Sequence, residues 1–166
     1  MNTTLDLNKF SKGLYLKQDG TWLHDGEPVI HQRLSHLLHR GIKRRPNGDL
    51  GVTTGRDWVT FESEDAPLRI VSAKNLHDQQ LLLSLSNETQ YILVPSAMAL
   101  IIDKQNQWRS AIIEQHLWAR WTRNALQSII PLVEKNKEAY FLKLNPHITI
   151  VELQIKQNWC LSPGNS

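Results

Sequence analysis

Cysteine is nearly missing from this chain: Cys160 stands alone among 166 residues. One thiol cannot close an intrachain disulfide, and it cannot supply a cysteine-based zinc site. A reducing compartment is therefore expected. Long apolar runs are missing too, and the chain does not open on a basic stretch followed by an apolar one. The expectation is a soluble cytoplasmic protein that does not contact membranes. There is no Gly-x-Ser-x-Gly elbow, no phosphate-binding Walker loop and no dinucleotide fingerprint. Cys160 lies close to the C-terminus, a poor place to fix a nucleophile. These absences point to a protein that is not an enzyme and carries no cofactor or metal.

Apolar residues make up 40% of the chain and charged residues 21%, which suits an ordinary globular fold. The six Trp bury large areas and mark cores or contact surfaces. Two of them close the same figure. Lys17-Gln18-Asp19-Gly20-Thr21-Trp22 and Asp103-Lys104-Gln105-Asn106-Gln107-Trp108 each follow an apolar alternation and each end on Trp. Extended runs and one helix follow each copy, so one supersecondary unit is used twice.

The pattern predicts an α+β protein of two hairpin–helix–hairpin units, residues 1–65 and 66–166. In the first, Leu14 and Leu16 alternate with Tyr15 and Lys17, Asp19-Gly20 turns the chain, and Trp22-Leu23-His24 returns. A helix is predicted over Pro28 to Lys43, with Pro28 in its first turn and Ile30, Leu34, Leu37, Leu38 and Gly41 on one face. Strands are predicted at Leu50–Thr54 and Trp58–Phe61. The second unit is expected to carry three extra strands, Leu68–Asn75, Leu81–Ser86 and Gln90–Val94. Its own repeat then has strands at Leu100–Asp103 and Trp108–Gln115, and a helix from about His116 to Asn136 that Pro131 loosens. A hairpin of Tyr140–Leu144 and Ile148–Leu153 around Asn145-Pro146 closes it. Residues 1–12 are expected to be a short helix or loose arm, and 156–166 a tail in which Trp159 could dock.

Taken together, Asp19-Gly20-Thr21-Trp22, Gly26-x-Pro28, Leu34-x-x-Leu37-Leu38, Gly48-x-Leu50, Val59 and Glu64-Asp65-Ala66-Pro67 resemble the bacterial domain-of-unknown-function family 1285. Leu117-x-Ala119-x-Trp121-x-Arg123 resembles that family's second-helix pattern. The resemblance spans about residues 13 to 153. It implies two repeated units, the second faintly like a pleckstrin-homology fold. It also implies a site for a ligand, nucleotide-based in the family-level suggestion, at the interface of the units, with a role in signalling. Asp57-Trp58 stands where the family usually has Glu-Lys, and Gly55 where Pro is common.

Charge singles out one surface. Residues 31–45 hold Arg33, Arg40, Lys43, Arg44 and Arg45 and no acid, on a chain whose net charge is only +3. Arg33, His36, Arg40 and Lys43 recur at steps that line one flank of the predicted helix. Guanidinium forks match phosphate or carboxylate oxygens, so the flank suits an anion. A solvated face with cations near the helix C-terminus is the plainer reading of the same residues. Aromatic residues are not interleaved with the stripe, which weighs against nucleic acid. Asp65 could orient a ligand or an arginine, or tie a tight turn. Trp22 could stack on a ligand ring or fill the core. His31, His36 and His39 do not form a metal set, because no nearby carboxylate joins them. The reading is a binding protein for a small anionic ligand, with Arg33, Arg40 and Arg123 on the charge, Asp65 orienting and Trp22 nearby. A protein–protein adaptor and a nucleic-acid binder using the basic helix are the alternatives.

Overall fold

Leu14, Tyr15 and Leu16, alternately buried and half-buried, open a computed structural model that describes residues 13–55, 57–77, 79–95, 99–103, 105–136, 139–144 and 150–155. The expected N-terminal arm, the Asn145-Pro146 turn and the tail with Trp159 and Cys160 lie outside these residues. The chain divides into two compact units, 1–67 and 68–166.

In the first unit, β1 (Leu14–Leu16), β2 (Trp22–His24) and β3 (Glu27–Pro28) are followed by α1 (Gln32–Arg40), then β4 (Ile42–Arg44), β5 (Leu50–Thr53) and β6 (Trp58–Ser63). They form a six-stranded sheet of order β3-β2-β1-β6-β5-β4. Every neighbouring pair is antiparallel except β1 and β6, where Leu14 lies beside Phe61. Leu14, Leu16, Trp22, Leu38, Ile42, Val52, Val59 and Phe61 are buried and make the core. Burying these side chains supplies the main driving force for the unit. The helix is held against β5 by Gly41. Its carbonyl accepts from Thr53 N at 2.9 Å. A Cβ there would sit 2.6 Å from the Thr53 carbonyl oxygen, so no side chain fits.

The second unit starts with β7 (Leu68–Asn75), β8 (Leu81–Leu85) and β9 (Gln90–Leu93), then β10 (Leu100–Ile102), β11 (Trp108–Ile112) and β12 (Leu117–Trp121). Helix α2 (Arg123–Ile129) and a 3-10 turn at Ile130–Leu132 lead into β13 (Val133–Asn136), β14 (Ala139–Lys143) and β15 (Ile150–Ile155). The nine strands run β13-β14-β15-β10-β11-β12-β7-β8-β9. Read from β12 to β13, six of them repeat the first sheet: β12-β11-β10-β15-β14-β13 stands for β3-β2-β1-β6-β5-β4. The parallel pair recurs as β10 and β15. The three extra strands join at the β12 edge, where β7 runs parallel to it. The duplication read from the two Trp figures is therefore a duplication of topology.

Both hairpins turn the same way. Lys17 N donates to Thr21 O and Gly20 N to Lys17 O, each at 2.9 Å; Asp103 N donates to Gln107 O and Asn106 N to Asp103 O, also at 2.9 Å. The fourth turn residue has positive φ in both, +90° at Gly20 and +61° at Asn106. Gly and Asn are the residues that adopt this conformation most readily.

The helices are shorter than the sequence predicts, and the molecule is sheet-rich. Helix α1 does not begin at Pro28, which lies in edge strand β3 opposite Leu23. It begins after His31, whose Nδ1 accepts from Leu34 N at 3.3 Å. Ile30, expected on the helix's apolar face, precedes this cap and is exposed. Lys43 belongs to β4, so the basic flank is reduced to Arg33, His36 and Arg40, all exposed. The helix expected over 116–136 is a strand, seven helical residues, a 3-10 turn and another strand. Leu117, Trp118 and Trp121 are strand residues, and the motif read as a second-helix pattern is mostly β12.

Candidate functional site in the second unit

The residues predicted from sequence fall in different places. Arg33 and Arg40 lie on exposed positions of α1, and Arg123 is the exposed first residue of α2. Asp65 is buried just after β6. Its Oδ1 accepts from Ala66 N at 2.6 Å, and its backbone carbonyl accepts from Ser63 Oγ at 2.6 Å. Trp22 is 0% exposed. Its ring lies edge-on to His39, with centroids 5.6 Å apart, and to Phe61 at 4.8 Å. Arg44 and Arg45 are engaged locally. Arg44 Nη1 donates to Gly48 O at 2.8 Å, and the Arg45 guanidinium lies 4.1 Å from the Trp58 ring centroid.

The second copy treats its Trp differently. A cleft of about 330 Å³ opens over Trp108, lined by Asn106, Leu126, Ile129, Ile130, Val133, Lys135 and Tyr140. Each wall has a local origin. Asn106 is the positive-φ residue of the β10–β11 turn, and Trp108 starts β11. Helix α2 is set by Thr122, whose Oγ1 accepts from Ala125 N at 3.3 Å and donates to Ile70 O at 2.8 Å. Pro131 lies in the 3-10 turn that follows α2, and this turn leaves Ile130 at the cleft mouth. In β13, Val133 and Lys135 are two apart and share a face. Lys135 sits directly opposite Tyr140 of β14, with Nζ 5.1 Å from the ring centroid. Trp108 and Tyr140 meet edge to face at 6.3 Å and 75°.

Comparison of the copies shows why one is closed and the other open. Seven residues after each helix cap sits a buried aliphatic, Leu38 in α1 and Ile129 in α2. The next residue is His39 in the first unit and Ile130 in the second. His39 is 9% exposed, packs on Trp22 and bonds through Nε2 to Gly20 O at 3.1 Å, closing the helix onto the hairpin. Ile130 is 58% exposed and has no polar atom to reach the hairpin residue Asn106. Trp108 is correspondingly 8% exposed where Trp22 is 0%.

The sequence reading passed over Tyr140, Lys135, Ile129 and Ile130 as site residues. One continuous helix over 116–136 does not pair Lys135 with Tyr140 across a hairpin. The usable signal was Thr122 as a helix cap with Pro131 as its stop, which confines the helix and releases Val133-x-Lys135 as a strand. Among the described residues no group of three or more His, Cys, Asp or Glu is placed to hold a metal. Nor is any helix among them long and apolar enough to cross a membrane.

Solved structures share this fold. A DUF1285 family protein from Silicibacter pomeroyi DSS-3 superposes with a TM-score of 0.63 at 16% identity, over 84% of this chain and 78% of that one. A DUF1285 family protein from Shewanella baltica OS155 gives a TM-score of 0.55 at 18% identity, over 71% of this chain and 90% of that one. No protein-family model and no curated protein matches the chain. The chain has a DUF1285-like fold, in agreement with the motifs of its first half.

Proposed function

We propose, from a DUF1285-like fold that is open over one of its two repeated Trp residues, that the protein is a non-enzymatic binding module for a small ligand received in the Trp108 cleft. One observation carries the reading: the cleft exists where the matching place in the other copy is filled by His39. Its size falls at the lower end for small-molecule sites, and its walls are mainly aliphatic and aromatic with a few polar groups, the usual make-up of such sites. The titratable side chains of the described lining are Lys135 and Tyr140, with no carboxylate, histidine, cysteine or serine beside them. Reporting a ligand's presence rather than converting it fits the signalling role that the family resemblance implies.

A neutral ring-sized probe, 3-phenylpropanamide, tests this. Titration should shift the indole N–H resonance of Trp108 and leave that of Trp22 in place. Ile130→Trp, at an exposed position on the mouth, should block the shift without lowering thermal stability. A Trp108 resonance that ignores the probe, or a response that survives Ile130→Trp, would refute the cleft as the site. The exposed row Arg33, His36 and Arg40 supports a second reading, an anion held on α1, which has no acid in its first turn. Arg33→Glu with Arg40→Glu separates the two: this variant should leave the Trp108 response unchanged.

A further inference from the structure

The charges around the cleft are not evenly shared between the two faces of its hairpin. β13 and β14 place Glu134 opposite Phe141 and Lys135 opposite Tyr140, so Glu134 and Lys135 point to opposite faces. On one face Glu134 is joined to Lys143 in an ion pair. On the other, Lys135 lies over the Tyr140 ring and lines the cleft. Among the described residues no carboxylate pairs with Lys135 or lines the cleft with it. The remaining polar side chains in the lining are the Asn106 amide, the Tyr140 hydroxyl and the Trp108 N–H, and all three can donate a hydrogen bond. The polar part of the cleft is therefore donor-rich and positive, beside walls formed by Leu126, Ile129, Ile130 and Val133. Trp108 and Tyr140, standing edge to face, offer surfaces on which a planar ring packs favourably.

The geometry points to a specific ligand class: a small ring-bearing carboxylate, with the ring against Trp108 and Tyr140 and the carboxylate on Lys135. This rests on the cleft reading above and adds to it a preference for one sign of charge. Lys135 is exposed, at the rim of the cleft, so the charge-assisted bond it makes to a carboxylate is partly screened by solvent and adds to the packing of the ring. An amine-bearing ligand of the same shape would meet Lys135 as a like charge and be rejected.

Three isosteric probes test it: 3-phenylpropionate, 3-phenylpropanamide and 3-phenylpropylamine, titrated against the full chain and against Lys135→Met. The carboxylate should bind about threefold to fivefold tighter than the amide, and the amine weakest. Lys135→Met, which keeps the stem over Tyr140 without the charge, should bring carboxylate and amide to equal affinity. Lys135→Arg should keep the carboxylate preference. Equal affinity for carboxylate and amide in the unaltered chain would overturn the charge preference while leaving the cleft reading intact. Failure of all three probes to bind would overturn both. A preference that survives Lys135→Met would place the anion elsewhere and overturn the assignment to Lys135.

Discussion

Asp103 does the work of two residues in a turn that contains a buried charge. Its Oδ1 accepts from Gln105 N at 2.9 Å and Gln107 N at 2.8 Å, which fixes the β10–β11 turn. Its Oδ2 accepts from Arg109 Nε at 3.1 Å and Nη2 at 2.9 Å, and both side chains are nearly fully buried. The matching positions in the first copy, Lys17 and Leu23, form no such pair, and there Asp19 Oδ1 accepts from Thr21 N at 2.8 Å instead. The second copy has thus moved its turn carboxylate and tied it to an arginine. Removing one partner of a buried pair costs far more than the pair contributes against an apolar substitute. Asp103→Ala should therefore lower stability by about 3–5 kcal/mol in urea denaturation. Asp103→Ala with Arg109→Met should recover part of that loss, because the buried guanidinium goes with it. A loss below about 1 kcal/mol for the single variant would mean that the pair behaves as a solvated one.

At the scale of elements, α2 depends on a single threonine. Thr122 caps the helix through Oγ1, and its N–H and hydroxyl both donate to Ile70 O, at 3.1 and 2.8 Å. A seven-residue helix is too short to persist on its own propensity, so its position comes from this anchor and from the burial of Ala125 and Ile129. Thr122→Ala should cost about 1–2 kcal/mol, while Thr122→Ser should keep most of it. Calorimetry on both variants checks this, and equal melting temperatures would remove the hydroxyl from the account. The same segment shows where the sequence is legible and where it is not. Strands β7, β8 and β9 are readable to within a residue, because short apolar runs rich in strand formers are bounded by polar turns. Residues 117–129 are not readable in this way. Leu117, Trp118, Ala119, Trp121, Ala125 and Ile129 are all buried, so their apolar pattern fits a helical period as well as a strand flanked by a helix. At Pro28, preference for a first helical turn lost to pairing on the sheet edge, where a missing N–H is equally harmless. The cleft is harder still to foresee, since it depends on what the helix end fails to cover, and periodicity carries no record of that.

Across the whole molecule, duplication sets two copies of one topology side by side in sequence and lets each be read as a control for the other. Strand order, the parallel pairing of the first and last strands of the repeat and the hairpin turn are shared. Among the differences is the residue after the last buried helical aliphatic, and with it the access to the Trp below. If His39 is what seals the first copy, its removal should make that copy resemble the second. His39→Ala deletes the ring that packs on Trp22 and the bond to Gly20 O, leaving a space over an indole that is otherwise completely enclosed. The cost should be about 2–4 kcal/mol, as for other truncations of large buried side chains. The newly opened space lies against Trp22, whose ring also packs on Phe61, so it should take up 3-phenylpropanamide, and the Trp22 indole N–H should now respond to the probe. Arg44 takes the place of Lys135 in the strand that follows α1, but it lies opposite Leu50 rather than a tyrosine, and its Nη1 donates to Gly48 O at 2.8 Å, which turns its charge toward the β4–β5 turn. The opened first copy should therefore bind the amide and the carboxylate equally, while Trp108 in the same molecule keeps its preference for the carboxylate. A Trp22 resonance that stays silent in a folded His39→Ala variant would show that the seal lies elsewhere in the helix. Equal responses to the charged and neutral probes at both indoles would show that the two copies differ in access and not in the charge they accept.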